Sequence, residues 1–390
     1  MINHYDHDRL SEKDLQIISP ENDGFHYFFG YYDLPATDKN GENHLCHRVK
    51  FMDRMPTADD VCELGILKDR KFYPFAETTA WNFQQGSMLR WYPTKENTVC
   101  YNVRRNGGFS TVVHDLSTGN KLFTDRACAT IAPNGKFGLS VSFSRIFDFR
   151  PGYGYAGAPD ENFDVNCPDN DGVYLTDLES GKSKMLITYA QMLGASGFEP
   201  EDKILINHIT VAPDSKRYLM LVRNFRKPGK IWNTSLVIGD LEGNVYTPLK
   251  RTYFSHYYWT DERTVLAHCK YGERTGMFAI NIDSGSAKEL DAPYFHGPGN
   301  RDVHCILSPD RKYIIGDGYP LEGKRCLFAY SMDTGMTDIV IRLSTVVPPT
   351  DEIRCDLHAL FSGDGKYISM DTTQNGRREV GIIPIDVLNF

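Results

Sequence analysis

Several things are scarce in this 390-residue chain, and each scarcity closes off a class of protein. No two cysteines stand in a Cys-x-x-Cys pair. The nine present, Cys46, Cys100, Cys167, Cys269, Cys305 and Cys355 among them, are scattered, which argues against a zinc knuckle or a disulfide framework and reads as reduced thiols. No apolar run is long enough to span a bilayer, and the stretch Met1 to Lys13 is polar with no secretory signature, so the expected location is cytoplasmic. Charge of one sign never accumulates: 43 Lys and Arg are interspersed with 51 Asp and Glu, for a net charge of -8. That pattern does not suit a nucleic acid partner, and an anionic small substrate would need a local cluster of Arg, His or metal. Sustained helical periodicity is missing as well, while aromatic residues make up 12%, a share that suits strands.

What the chain does have is a repeat. A proline-containing turn followed by an apolar strand recurs at Ala132-Pro-Asn-Gly-Lys136, Ala212-Pro-Asp-Ser-Lys216, Ser308-Pro-Asp-Arg-Lys312 and, with Gly in place of Pro, Ser362-Gly-Asp-Gly-Lys366. Weaker copies lie at Leu34 to Asn43, Tyr92 to Asn97 and Thr260 to Arg263, giving seven in all. A second turn, opening on Asp and closing on Gly, follows at Asp115 to Gly119, Asp177 to Gly181, Asp240 to Gly243, Asp283 to Gly285 and Asp333 to Gly335. Two tight turns per unit imply about four antiparallel strands, and units of roughly 40–50 residues are propeller blades. The expected fold is all-β, a single seven-bladed β-propeller over residues 1–390. Its last repeat ends too early for a fourth strand, so the N-terminal Leu15-Gln-Ile-Ile18 is expected to supply it and close the ring. The Gly-, Pro- and Tyr-rich stretch Phe149 to Asp171 reads as a loop inserted over one face.

Chemistry is suggested by histidines in register. His208, His256, His304 and His358 each stand about four residues before the turn of their repeat. Equivalent positions in neighbouring blades converge on the propeller channel, so four imidazoles make a candidate metal or acid/base site. A buried histidine is often only a hydrogen-bonded core residue, but four in register argue for a shared task. Arg145 and Arg150 flank the inserted loop and could clamp a carboxylate. Gln84 and Gln85 could bind sugar hydroxyls or simply make a turn, and Trp81, Tyr153 and Tyr155 could stack on sugar rings or pack.

The sequence His208-x-x-x-x-Pro213, Ser255-His-x-x-Trp259, His304-x-x-x-Ser308 and His358-x-x-Phe-Ser-x-Asp-Gly365 resembles the C-terminal half of the oligogalacturonate lyases. That family consists of intracellular seven-bladed propellers that cleave uronate oligosaccharides by β-elimination with the help of manganese. The resemblance covers about Ile204 to Thr373. It implies an anionic oligosaccharide substrate and no membrane partner, His256 as general base, and His304 and His358 as ligands of a divalent metal, Mn2+ as in that family. Where the family has a further His, this chain has Asp356, an oxygen ligand suited to a hard cation. His208 is a further ligand or a substrate contact. The family's Gln ligand and substrate Arg have no counterpart, and Arg223 or Arg226 are the replacements nearby. A wider resemblance, carried by Trp81-Asn-Phe-Gln-Gln-Gly-Ser-Met-Leu-Arg-Trp91 and Arg150-Pro-Gly-Tyr-Gly-Tyr-Ala-Gly157, is to uncharacterised bacterial propellers outside the lyase pattern.

Two other readings compete. A non-catalytic TolB-like propeller, serving as a glycan-binding or interaction scaffold, would share the turns but has no reason to align four histidines. A glycoside hydrolase would need two carboxylates at a set separation, for which Asp302, Asp317 and Asp356 are candidates.

Overall fold

In the computed structural model, which describes residues 8–225, 232–290, 292, 303–320 and 323–389, the repeats fold into seven four-stranded antiparallel sheets. The structure is the β-propeller that the repeats predict. In chain order the innermost strands are His26–Phe28, Arg90–Trp91, Cys128–Ile131, Ile204–Val211, Phe254–Trp259, His304–Leu307 and Leu360–Phe361, for blades one to seven. Outside blade one, each runs directly into the first turn of its repeat. In that turn a carboxylate or amide accepts the N–H two residues on, as in Asn134 with Lys136, Asp214 with Lys216 and Asp310 with Lys312. The following position needs a left-handed backbone, which Gly135 takes at φ +71° and Ser215 and Arg311 accept at φ +59° and +63°.

Middle strands are covered on both faces by neighbouring blades, so they read as unbroken apolar runs. In blade four the strand Arg217–Asn224 buries Tyr218 to Val222 without interruption. Outer strands meet solvent on one face and alternate. The strand Gln16–Ile17 pairs with Glu379–Pro384, placing Gln16 opposite Ile382 and Ile17 opposite Gly381, so the N-terminal segment covers the outer edge of blade seven. Leu15 lies over Gly381 so closely that an added Cβ there would come within 2.7 Å of its side chain. All nine cysteines are free thiols, eight of them buried. No helix among the described residues is long and apolar enough to cross a membrane.

The insertion in blade three begins earlier than its composition suggests. A helix, Phe143–Phe149, precedes the loop and is capped by the Ser142 side chain, which accepts from the Arg145 N–H. Seven residues are too few to show a helical period in sequence. Arg145 is fully buried and does not serve as a carboxylate clamp. Its Nε donates to Ile204 O at 2.8 Å, Nη1 to Asp160 Oδ2 at 3.0 Å and Asn162 O at 3.2 Å, and Nη2 to Val165 O at 3.0 Å and Asn166 O at 2.8 Å. The guanidinium is the internal brace of the loop, tying it to the first residue of the blade-four inner strand.

Two other buried imidazoles have a thermodynamic consequence. His44 and His47, in the second strand of blade one, are held neutral by burial, with pKa values lowered to about 4. The His47 Nε2 accepts the Ser87 N–H at 2.9 Å, and its ring stacks on Phe28. A histidine that resists protonation when folded but not when unfolded contributes stability above pH 6.5 that is lost as pH falls towards 4. At pH 5 that loss is about 2 kcal/mol per residue. Denaturant midpoints measured from pH 7.5 down to 4.5 are expected to fall steeply, and His47→Gln should flatten the slope. An unchanged slope in that variant would remove His47 from the account.

Candidate functional site

Because the proline turn fixes the lower end of each inner strand, counting back from it sets the level of each side chain in the channel. His208 and His256 lie within the inner strands of blades four and five, His304 opens that of blade six, and His358 precedes that of blade seven by two residues. Their rings are close: His256 and His304 are 4.0 Å apart between centroids, and His304 and His358 are 4.5 Å apart. All four are nine-tenths or more buried.

Three donors converge most tightly. Ligand atoms of His304, Asp356 and His358 all lie within 4.8 Å of one another. The second nitrogen of each imidazole is already committed. His304 Nδ1 donates to Asp317 Oδ1 at 3.2 Å, and His358 Nδ1 donates to the Gly30 carbonyl, which fixes the tautomers and leaves each Nε2 as the lone-pair nitrogen. Burial, with His304 beside it, lowers the His358 pKa to about 4, so that ring stays neutral. Burial alone would favour a protonated Asp356. Arg354 and Arg325, at 2.8 and 2.7 Å, outweigh it and hold the carboxyl well below the usual carboxylate range. The arrangement leaves His358 Nε2 buried without a hydrogen bond. Two imidazoles and an ionised carboxylate are a donor set that fits a divalent cation. His358 also adopts φ +42°, a costly left-handed conformation for a non-glycine residue, consistent with a side chain held in place for a purpose. Asp317 secures it: the oxygen not bonded to His304 accepts the Leu357 N–H at 2.7 Å, locking blade six to the segment carrying Asp356 and His358.

His208 is not brought into this trio. Its Nε2 is bonded at 2.7 Å to Asp33 Oδ2, a carboxylate held low by the same imidazole against the opposing effect of burial. Asp33 ends a strap, Gly30 to Asp33, that leaves the inner strand of blade one and lies among the histidines. Tyr31 sits 5.3, 6.1 and 5.2 Å from the rings of His208, His304 and His358. Tyr32 sits 5.7 Å from His256 and 5.1 Å from His304. Sequence reading missed this strap, since it falls outside the register that exposed the histidines.

The remaining candidates divide. Arg150 places its guanidinium 4.1 Å over the Tyr153 ring and 3.8 Å from Glu352. Its side chain is only 16% exposed, yet it makes no hydrogen bond to any described residue. Such a group is suited to receive an anion. Arg223 instead spends Nε on Thr234 Oγ1 and Nη2 on Phe254 O at 3.1 Å, steadying the strand just ahead of His256. Gln84 is fully buried, with its amide given to Arg354 O and its oxygen accepting from Tyr153 Oη. Gln85 lies beside it in a turn built on Asn82, whose Oδ1 accepts the Gln85 backbone N–H, so the Gln84 amide supports the site from behind. Trp81 and Tyr155 are packing residues, the latter stacked on Phe143. Arg226 and Asp302 lie outside the described residues.

No family profile and no curated protein matches the chain. Solved structures do. An oligogalacturonate lyase in complex with manganese superposes with a TM-score of 0.66 at 14% identity, covering 96% of this chain and 97% of that one. An oligogalacturonate lyase from Vibrio parahaemolyticus gives 0.65 at 12% identity, covering 94% and 92%. The tricorn protease gives 0.52 at 12% identity over 96% of this chain and 34% of its own length. At such identities the likeness establishes a shared fold.

Proposed function

We propose that this propeller is a metal-assisted lyase acting by β-elimination on uronate-containing oligosaccharides. The observation that carries the reading is the His304, Asp356 and His358 trio, with the His256 ring 4.0 Å from that of His304. The whole-length likeness to oligogalacturonate lyases, one of them a manganese complex, supports it.

β-Elimination removes the proton on C5 of a uronate, which is acidic only when the adjacent carboxylate is neutralised. A divalent cation held by His304 Nε2, His358 Nε2 and Asp356, manganese being the choice we favour, would supply that neutralisation. His256 lies next to His304 and is placed to take the proton, a task suited to an imidazole of ordinary pKa near 6.5. Arg354 and Arg325 keep Asp356 ionised, and Asp317 and Gly30 hold the two imidazoles in the ligating tautomer. Arg150 would bind a second carboxylate. A pure scaffold has no use for this convergence of polar groups, each expensive to bury.

The direct test is to mix the protein with a panel of uronate oligosaccharides and follow ultraviolet absorbance from the unsaturated product. At least one is expected to respond, chelator should abolish the signal, and added Mn2+ should restore it. Silence across the panel would favour the binding-scaffold reading, and indifference to chelator would end the metal assignment.

A further inference from the structure

We infer that Tyr31 is the general acid of this site, delivering its phenolic proton to the oxygen that leaves from C4. The inference rests on the elimination reading above and adds the half of the reaction which that reading leaves unassigned.

An alkoxide is a poor leaving group near neutral pH, so a proton must reach the glycosidic oxygen as its bond to carbon breaks. Most donors at the site are already committed. The Nδ1–H groups of His304 and His358 go to Asp317 and Gly30, and the Nε2–H of His208 goes to Asp33. Tyr32 donates to Tyr257 O at 2.8 Å and Tyr153 to Gln84 Oε1. Arg354 is held by Asp356, Asp351 O and Tyr153. Arg150 keeps its N–H groups available, but a guanidinium does not release a proton. The Tyr31 hydroxyl, on a residue only 1% exposed, has no hydrogen-bond partner among the described residues.

Its placement matches the role. The ring meets His208, His304 and His358 edge-on and lies 6.3 Å from Tyr153, on which Arg150 stacks. The strap carrying it is fastened to three blades: the Phe29 N–H to Asp371 of blade seven, Tyr32 Oη to Tyr257 of blade five, and Asp33 to His208 of blade four. Gly30 makes the approach possible, at φ +137° and with only 3.1 Å between an added Cβ and Gln85 O. Tyr31 is thus held in position before substrate arrives, as an effective acid must be.

The step balances without any further reactant. The C5–H electron pair becomes the C4–C5 double bond as the C4–O bond breaks. His256 takes the proton from C5, Tyr31 gives its own to the departing oxygen, and the two residues recover their starting forms by proton exchange through water once the products leave.

The experiment uses the full chain loaded with Mn2+ in D2O, with whichever panel oligosaccharide the wild type cleaves fastest. Tyr31→Phe keeps the ring and its contacts. It is expected to lower kcat by about 100-fold or more, leave KM within about threefold, and still place deuterium at C5 of recovered substrate, because the base remains. A 4-O-aryl uronate, whose phenolate leaves unaided, should restore the rate of the variant towards wild type, a recovery that a misfolded protein could not show. Near-normal elimination in Tyr31→Phe, or loss of C5 exchange together with elimination, would overturn the assignment. A wild type that neither eliminates nor exchanges C5 on any uronate would bring down the parent reading, and this one with it.

Discussion

His256→Ala is expected to slow uronate elimination by about 10²–10⁴-fold while leaving the melting temperature and the bound-metal stoichiometry at wild-type values. The size follows from what is removed. His256 touches the His304 ring at 4.0 Å but is not one of the three convergent donors, so its loss takes away a proton acceptor and not a ligand. Ser255 Oγ lies 3.4 Å from its Nδ1, a contact too long to contribute much to stability. Added imidazole should recover part of the rate by occupying the space vacated by the side chain. Initial rates of ultraviolet absorbance, with metal analysis on the same preparations, decide the matter. If the variant runs within tenfold of wild type, another group takes the C5 proton.

The pairing of His256 with His304 was open to sequence reading because the repeat itself supplies a ruler. A proline turn marks the end of each inner strand, so a residue type recurring four places earlier must recur at one level of the channel, whatever the packing between blades. Asp356, two places before His358, came into view only through the resemblance to the lyases. Arg145, Arg223 and Gln84 show where that ruler stops. Each is a polar side chain near the site in sequence terms, but its role is decided by backbone carbonyls that come from elsewhere: Asn162 to Asn166 for Arg145, Phe254 for Arg223, Arg354 for Gln84. No pattern of residue types announces where a carbonyl will point. The strap is the deeper omission. Asp33 meets His208 across 175 positions, and Gly30 meets His358 across 328. Nothing local in Gly30-Tyr-Tyr-Asp33 sets it apart from an ordinary turn, and only ring closure brings blade one round to blades four, five and seven.

The same distinction between site and support leads to the largest expected effect on stability. Arg145→Met should destabilise the protein by about 3–5 kcal/mol, the range found when one partner of a buried ion pair is removed. The Arg145 side chain is 0% exposed and that of Asp160 is 2%, so water cannot readily solvate the carboxylate and the Ile204 carbonyl that the substitution strands, and three further carbonyls, of Asn162, Val165 and Asn166, lose their donor. Methionine fills the volume and satisfies none of them. Lysine should rescue poorly, because an ammonium group cannot reproduce the planar fork that reaches Ile204 on one side and Asp160 to Asn166 on the other. Adding Asp160→Asn to Arg145→Met should recover part of the loss by deleting the stranded charge, and a denaturant-based double-mutant cycle measures that coupling. Since Arg150 opens the braced loop and Ile204 opens the strand carrying His208, activity should fall with stability, and limited proteolysis should cut between residues 150 and 171 before any other segment. A cost below about 1 kcal/mol would mean that the loop finds other partners, and that the brace matters less to the site than five hydrogen bonds on one guanidinium imply.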